Sequence, residues 1–122
     1  MNYYKNLEVW KESIDVVTDL YQVTKKFPKE ELYSLTSQIK RSAISIPSNI
    51  AEGAGRSGNK EFLNFLNIAY GSLCELDTQL VIAIKLGYLG EEEFAGLTKH
   101  IDKIKRMTIN LKKRIRENEN QT

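Results

Sequence analysis

The chain reads QIKRSAISIPSNIAEG from residue 38 to residue 53, with Pro47 inside the stretch. A proline in a helix interior lacks the amide that binds the carbonyl four residues earlier, here that of Ala43, and costs about 3 kcal/mol. Apolar side chains nevertheless recur at steps of three or four on both sides of the proline: Leu32, Leu35, Ile39, Ala43, Ile46 and Ile50. Because the pattern continues through Pro47, it predicts one kinked helix and not two separate ones.

A polar line runs beside this apolar one. Its members carry hydrogen-bonding side chains, again at steps of three or four: Gln38, Arg41, Ser45, Asn49 and Glu52. Residues at this spacing lie along one side of a helix, so the line predicts a polar partner surface. We expect the third helix to supply that surface and Arg41 to pair with Glu75, against the alternative that both are ordinary solvated charges.

The whole sequence is predicted to be all-α and to form an antiparallel, up-down four-helix bundle with a Pro-kinked second helix. The 122 residues are expected to form a single domain with one core. The four helices of this domain, which spans residues 1–122, are expected at roughly residues 6–26, 30–53, 59–86 and 91–117.

The helix ends are marked less clearly than the helices. The second helix can begin near Pro28, a good first-turn residue, or after Ser34, a good N-cap. For the third helix, either Ser57 or Asn59 is the expected cap, and Gly87 is the expected left-handed residue that ends it.

Two helices carry regular apolar stripes that predict their buried faces. In the first helix the stripe is Trp10, Ile14, Val17 and Tyr21. In the third it is Phe62, Leu66, Ala69, Leu73, Leu76, Leu80 and Ala83. Both helices also carry apolar residues beside these stripes, namely Val9, Val16 and Leu20 in the first and Phe65, Ile68 and Ile82 in the third. The extra residues indicate either an interface for self-association or a wider core face.

Several motifs resemble those of one family: small four-helix-bundle proteins first noticed as open reading frames inside intervening sequences of bacterial large-subunit (23S) ribosomal RNA genes. The resemblance rests on the stretch from Gln38 to Gly53 and on segments along the rest of the chain: residues 7–10, 27–28, 69–73, 75–76 and 86–89. It implies a bundle that assembles into a homo-oligomeric ring, with a pentamer as the expected form. It also implies a distant likeness to the accessory variability proteins of diversity-generating retroelements, basic rings that bind nucleic acid. It implies no established reaction.

The fourth predicted helix is strongly basic although the net charge of the chain is only +2. Residues 99–116 contain eight basic side chains against one acid, Asp102, a local charge of +7. The basic residues are Lys99, Lys103, Lys105, Arg106, Lys112, Lys113, Arg114 and Arg116. All of them except Arg114 lie on one face of the helix or on the flank beside it, and these seven predict a ridge that can bind RNA or DNA through phosphates. The alternative is that they oppose the helix dipole and keep the outer face soluble.

No motif in the sequence predicts catalysis, a cofactor or a metal. Residues 53–58 spell the dinucleotide-binding glycine pattern, but they follow a helix where a strand is required, and we interpret them as a flexible turn. Arg56 and Lys60, near the start of the third helix, can hold an anion, against the alternative that the loop is merely solvated. His100 is the sole histidine, and Cys74 is expected to be a small buried side chain. The longest apolar run, residues 80–84, is far too short to span a membrane, so a cytoplasmic location is expected.

The sequence therefore predicts a noncatalytic, ring-forming interaction module that has no small-molecule substrate and no membrane contact. The alternative is a nucleic-acid-binding accessory protein that uses its basic fourth helix.

Overall fold

The computed structural model describes residues 4–120, with side chains described for residues 4–118. Within that range the chain contains helices and no strand, which confirms the all-α prediction. Two short 3-10 turns, Tyr4–Asn6 and Lys29–Glu31, precede the first and second helices. The helices are α1 (Glu8–Thr24), α2 (Leu35–Ala54), α3 (Asn59–Lys85) and α4 (Glu91–Asn120).

The four helices pack in cyclic order, because each contacts its neighbour in sequence and α4 also contacts α1. Between α2 and α3, Ser45 meets Ser72 and Gly53 meets Phe65, so residue numbers rise along one helix as they fall along the other. The same rule holds between α1 and α4. Glu12 of α1 binds Lys103, and Lys26, two residues after the end of α1, binds Glu93.

Helix α2 continues through Pro47, as the apolar pattern predicts. It begins at Leu35 with Ser34 at the N-cap position, which is the second of the two predicted starts. The Ser34 hydroxyl donates a hydrogen bond to the Glu31 carboxylate at 2.6 Å and makes no capping bond to the helix backbone. Leu32 lies before the helix and is exposed, so it is not part of the predicted stripe. The bend at Pro47 stays a prediction.

Helix α1 is rotated relative to the prediction. Its buried residues are Val9, Ser13, Val16, Leu20 and Thr24, whereas Trp10, Ile14 and Val17 are half-buried and Tyr21 is exposed. The Ser13 hydroxyl donates to the Trp10 carbonyl at 2.7 Å, and that of Thr24 donates to the Leu20 carbonyl at 2.8 Å. Because the helix backbone itself accepts these hydrogen bonds, both hydroxyls can be buried at little cost. The predicted stripe instead lies on the flank of α1, where Lys40 of α2 stands 4.6 Å above the Tyr21 ring.

Helix α3 has the predicted core face, since all seven residues of its stripe are buried. The helix ends in a Schellman motif: Gly87 has φ of +80°, its amide binds the Ile84 carbonyl, and the Tyr88 amide binds the Ala83 carbonyl. Gly87 therefore plays the predicted role. The predicted caps at the other end are wrong, because Gly58 occupies the N-cap position.

Gly53 belongs to α2 and is buried against α3, so it is not part of a flexible turn. A Cβ at this position would stand 2.7 Å from the Phe65 Cβ and 3.0 Å from a ring carbon of Phe62. Contacts this short force a neighbouring atom to move, so the close approach of α3 requires glycine here. The connection between the two helices is thus only residues 55–58.

Two of the segments that resemble the family, residues 27–28 and 86–89, meet at one end of the bundle. The Phe27 ring, just after α1, lies 5.6 Å from the Tyr88 ring, just after α3. The Tyr88 hydroxyl donates to the Glu31 carboxylate at 2.9 Å. Hydrogen bonds from Ser34 and Tyr88 lower the pKa of Glu31, and the same Glu31 contact raises the pKa of Tyr88. These contacts join the connection between α1 and α2 to the turn before α4.

Candidate functional site

A polar groove of about 260 Å³ lies between α2 and α3. Its floor contains a direct contact between hydroxyls, because Ser45 Oγ and Ser72 Oγ are 2.8 Å apart. The Asn49 side chain donates to the Ser45 carbonyl at 2.8 Å and to Ser45 Oγ at 2.9 Å, which fixes that serine. One hydroxyl hydrogen is used between the two serines, so the other is available to a group in the groove.

The walls of this polar groove are charged and polar side chains from both helices. Arg41 and Glu75 both line it, but they form no ion pair within 4.0 Å among the described residues, so the predicted pair is wrong for the single subunit. Both side chains are exposed, and pairing exposed charges gains little because it immobilises long side chains that water already solvates. Gln38 is also exposed along the same wall.

One buried acceptor in the polar groove lacks a hydrogen bond. Gln79, on α3 one turn after Glu75, is only 9% exposed, and its Oε1 has no hydrogen-bond partner within the described chain. An unpaired buried polar atom costs about 1–3 kcal/mol, so such atoms usually have a partner. The Gln79 carboxamide therefore lines an incomplete site.

Glu52, the last member of the predicted polar line, lies away from this groove. It binds Arg56 at 2.5 Å, and Arg56 also contacts Glu61 at 3.7 Å and the Phe65 ring at 5.1 Å. These contacts offset much of the Arg56 charge, and the anion site at Arg56 and Lys60 stays a prediction.

Apolar side chains are exposed on several helices of the single subunit. On α3 the exposed ones include Ile68, Val81 and Ile82, followed by Leu86 at the C-cap position, and α2 adds Ile44. Ile68 and Ile82 lie seven residues before and after Glu75, so all three follow one line on the outer side of the helix. We call the line formed by Ile68, Glu75 and Ile82 the outer strip of α3.

The basic residues of α4 fall into two groups in the structure. Lys103 binds Glu12 of α1 at 3.3 Å, and Lys105 binds Asp77 of α3 at 2.6 Å. Burial lowers the pKa of Lys105, but the hydrogen bond and charge of Asp77 outweigh it and the pKa is raised. The others form no ion pair among the described residues, and they are Lys99, Arg106, Lys112, Lys113, Arg114 and Arg116. Of these, all but the half-buried Lys112 are exposed.

His100 binds a carboxylate in the structure. Its Nε2 lies 2.8 Å from Glu12 Oε1, between α4 and α1. This hydrogen bond, together with the hydrogen bond and charge of Lys103, outweighs partial burial and lowers the pKa of Glu12. Within residues 4–118 no group of three histidine, cysteine, aspartate or glutamate side chains could hold a metal ion. Cys74 is exposed, so its expected burial is wrong.

The chain matches the family model for the 23S rRNA-intervening sequence protein over residues 5–110. Because the match covers most of the sequence, the protein belongs to that family, which confirms the resemblance found in its motifs.

A crystal structure of a protein of unknown function, from the S23 ribosomal protein family of Bacteroides thetaiotaomicron, is similar to this one. The two share 24% identity with a TM-score of 0.80, over 86% of this chain and 98% of that chain. Likeness at this identity shows the fold alone. No curated protein matches the chain. Across the described residues, no helix is long and apolar enough to span a membrane.

Proposed function

We propose that this protein is a noncatalytic bundle that assembles with copies of itself into a closed ring, with five subunits as the family resemblance implies. The observation that carries the proposal is the exposed apolar surface of α3, where Ile68 is 51%, Ile82 is 44% and Leu86 is 53% exposed. Burial of apolar surface contributes about 25 cal/mol per Å², and exposed apolar patches commonly mark interfaces.

A second apolar surface lies between α1 and α2. It comprises the half-buried Trp10, Ile14 and Val17, with the exposed Tyr21 and Ile44. In the described chain α1 and α3 are not neighbours in the cyclic order of the helices, so this surface and the outer strip of α3 lie on different sides of the bundle. Two different surfaces suit a heterologous contact, in which one surface of each copy binds the other surface of the next. Such contacts form a ring when the rotation from one copy to the next closes.

The distribution of titratable groups supports a noncatalytic role. The described ion pairs lie between neighbouring helices or along one helix, and most of their side chains are exposed. General acid and base catalysis instead needs such groups gathered in a pocket around the reacting atoms.

Ile68→Lys tests the assembly surface, with Asn67→Lys as the matched control. Both residues are exposed on α3, but only Ile68 belongs to the outer strip. Light scattering should give an oligomer for the wild type and for Asn67→Lys, and a smaller species for Ile68→Lys, because a buried unpaired ammonium opposes association. An Ile68→Lys protein with the wild-type mass would remove the outer strip from the interface.

The second candidate function is association with RNA or DNA through α4. It is favoured by the five exposed basic residues that have no carboxylate partner among the described residues, Lys99, Arg106, Lys113, Arg114 and Arg116. A ring would repeat this set in every subunit. Binding would depend weakly on sequence and strongly on salt, because each phosphate contact on duplex DNA contributes about −0.9 to the slope of log affinity against log salt.

Replacement of Lys99, Arg106 and Lys113 by Gln tests this second function. Anisotropy titrations with random-sequence DNA should show binding by the wild type at low salt and a slope flattened by about 2 to 3 in the triple variant. A control variant with the same charge loss replaces three other exposed lysines, Lys25, Lys29 and Lys85, and should keep the slope. No wild-type binding at low salt would leave the basic residues as a solvated helix face.

A further inference from the structure

We propose that the polar groove between α2 and α3 receives an N–H donor side chain from a second copy of the chain, and that Gln79 is its acceptor. The inference rests on the proposed self-assembly and identifies a contact within it. Its starting point is the Gln79 side chain, which lines an open groove and whose buried Oε1 has no hydrogen-bond partner within the described subunit. A rotation of this side chain presents the oxygen to a donor in the groove.

The groove offers more than one acceptor to such a donor. Glu75, one turn before Gln79, is exposed, lines the same groove and has no basic partner among the described residues. The Ser45 and Ser72 hydroxyls lie on the groove floor. An arginine, lysine or amide side chain satisfies this set because it carries several N–H donors. Arg41, on the opposite wall of the groove, is available to an acceptor side chain from the incoming second copy.

A second copy fits the surroundings of the groove better than a free small molecule does. Glu75 lies between Ile68 and Ile82 on the outer strip of α3, and Ile82 lines an adjoining cavity of about 400 Å³ together with Gln79. A small polar ligand in the groove would leave both isoleucines in water. A protein surface that covers both isoleucines also covers Glu75, which lines the groove, and it can place a side chain there.

Replacement of Gln79 distinguishes this contact from a structural role. In Gln79→Leu the subunit loses an unpaired buried oxygen, so its own unfolding stability should be unchanged or higher, whereas the assembly should lose an acceptor. We expect the dissociation constant of the assembly to rise at least about tenfold, because the donor of the neighbouring copy is left buried without a partner. Gln79→Glu keeps an acceptor oxygen and should assemble within about threefold of the wild type.

Gln22→Leu is the matched control, since Gln22 is exposed on α1 and bonds only to Lys25. Dissociation is measured by light scattering over a dilution series, and subunit unfolding by urea on an Ile68→Lys background. If the Gln79→Leu protein assembles as tightly as the wild type, or if the substitution only destabilises the subunit, the proposed contact is wrong while self-assembly stands. A wild-type protein that is monomeric throughout the series would overturn both.

Discussion

Val16 and Val17 are adjacent on α1, and the same substitution at each one tests how this helix is oriented. Val16 is fully buried in the bundle core, whereas Val17 is half-buried on the flank that faces α2. The regular stripe in the sequence predicts the opposite order. Because both substitutions replace valine by alanine in one helix, the gain in helix propensity of about 0.5 kcal/mol is the same for both and cancels in the comparison.

The expected magnitude follows from the two methyl groups that each substitution removes. At about 0.8 kcal/mol per buried carbon, full burial at Val16 gives about 1.6 kcal/mol. A residual cavity of roughly 30 to 40 Å³ adds roughly 0.7 to 1 kcal/mol at about 24 cal/mol per Å³. After the propensity gain, Val16→Ala should cost about 2 kcal/mol. Val17→Ala loses about half of the transfer energy and should cost roughly 0 to 0.5 kcal/mol.

Urea unfolding followed by circular dichroism measures both variants. The Ile68→Lys background is used because the stability of an oligomer depends on its concentration. Equal costs for the two variants, or a larger cost for Val17→Ala, would refute the orientation of α1 described above.

Three further predictions concern single sites. Gly53→Ala should lower the free energy of unfolding by about 1–3 kcal/mol, because the added Cβ overlaps α3. Gly71→Ala should raise it by about 0.5–1 kcal/mol, because alanine favours a helix and its Cβ would have no neighbour from another helix within 4 Å among the described residues. Urea unfolding that ranks the two variants in the other order would contradict the close packing at Gly53. Leu76→Ala should cost about 2–5 kcal/mol because Leu76 is fully buried, and thermal unfolding should show a far smaller shift for the exposed Lys113→Ala. Glu12 has a pKa below its ordinary value of 4.5 in the folded chain, so its contribution to stability is present above about pH 4.5 and is lost as pH falls below that value. Glu12→Gln should therefore lower the free energy of unfolding by about 0.5–1 kcal/mol near neutral pH. Urea unfolding should show a smaller loss in acid, where the wild-type carboxylate is protonated. A loss that does not change with pH would exclude the Glu12 carboxylate as its source.

The sequence was sufficient to predict the helices, but not the rotation of every one. All seven positions of the α3 stripe are apolar, so their period alone identifies the buried face. On α1 the buried face includes Ser13 and Thr24, and a more regular apolar stripe lies on the flank. Hydropathy cannot tell the two faces apart, because the hydrogen bonds that allow these hydroxyls to be buried appear only once the helix has formed.

Contacts between helices were harder to predict than the helices themselves. Helix register placed Arg41 and Glu75 beside one groove, but it did not determine whether two exposed charges would meet. Likewise, the sequence marked Lys103 as part of a basic face, whereas the structure pairs it with Glu12 of α1. Such pairings depend on how far neighbouring helices rotate and slide, which periodicity within one helix does not encode.

Native mass spectrometry of the wild-type protein tests the central claim, self-assembly into a ring, most directly. One subunit has a mass of 14.0 kDa, so five subunits give about 70 kDa. We predict this species at micromolar concentration and moderate salt. A dimer or tetramer would keep self-association but reject the five-membered ring, and a single 14.0 kDa species under these conditions would rule out self-assembly.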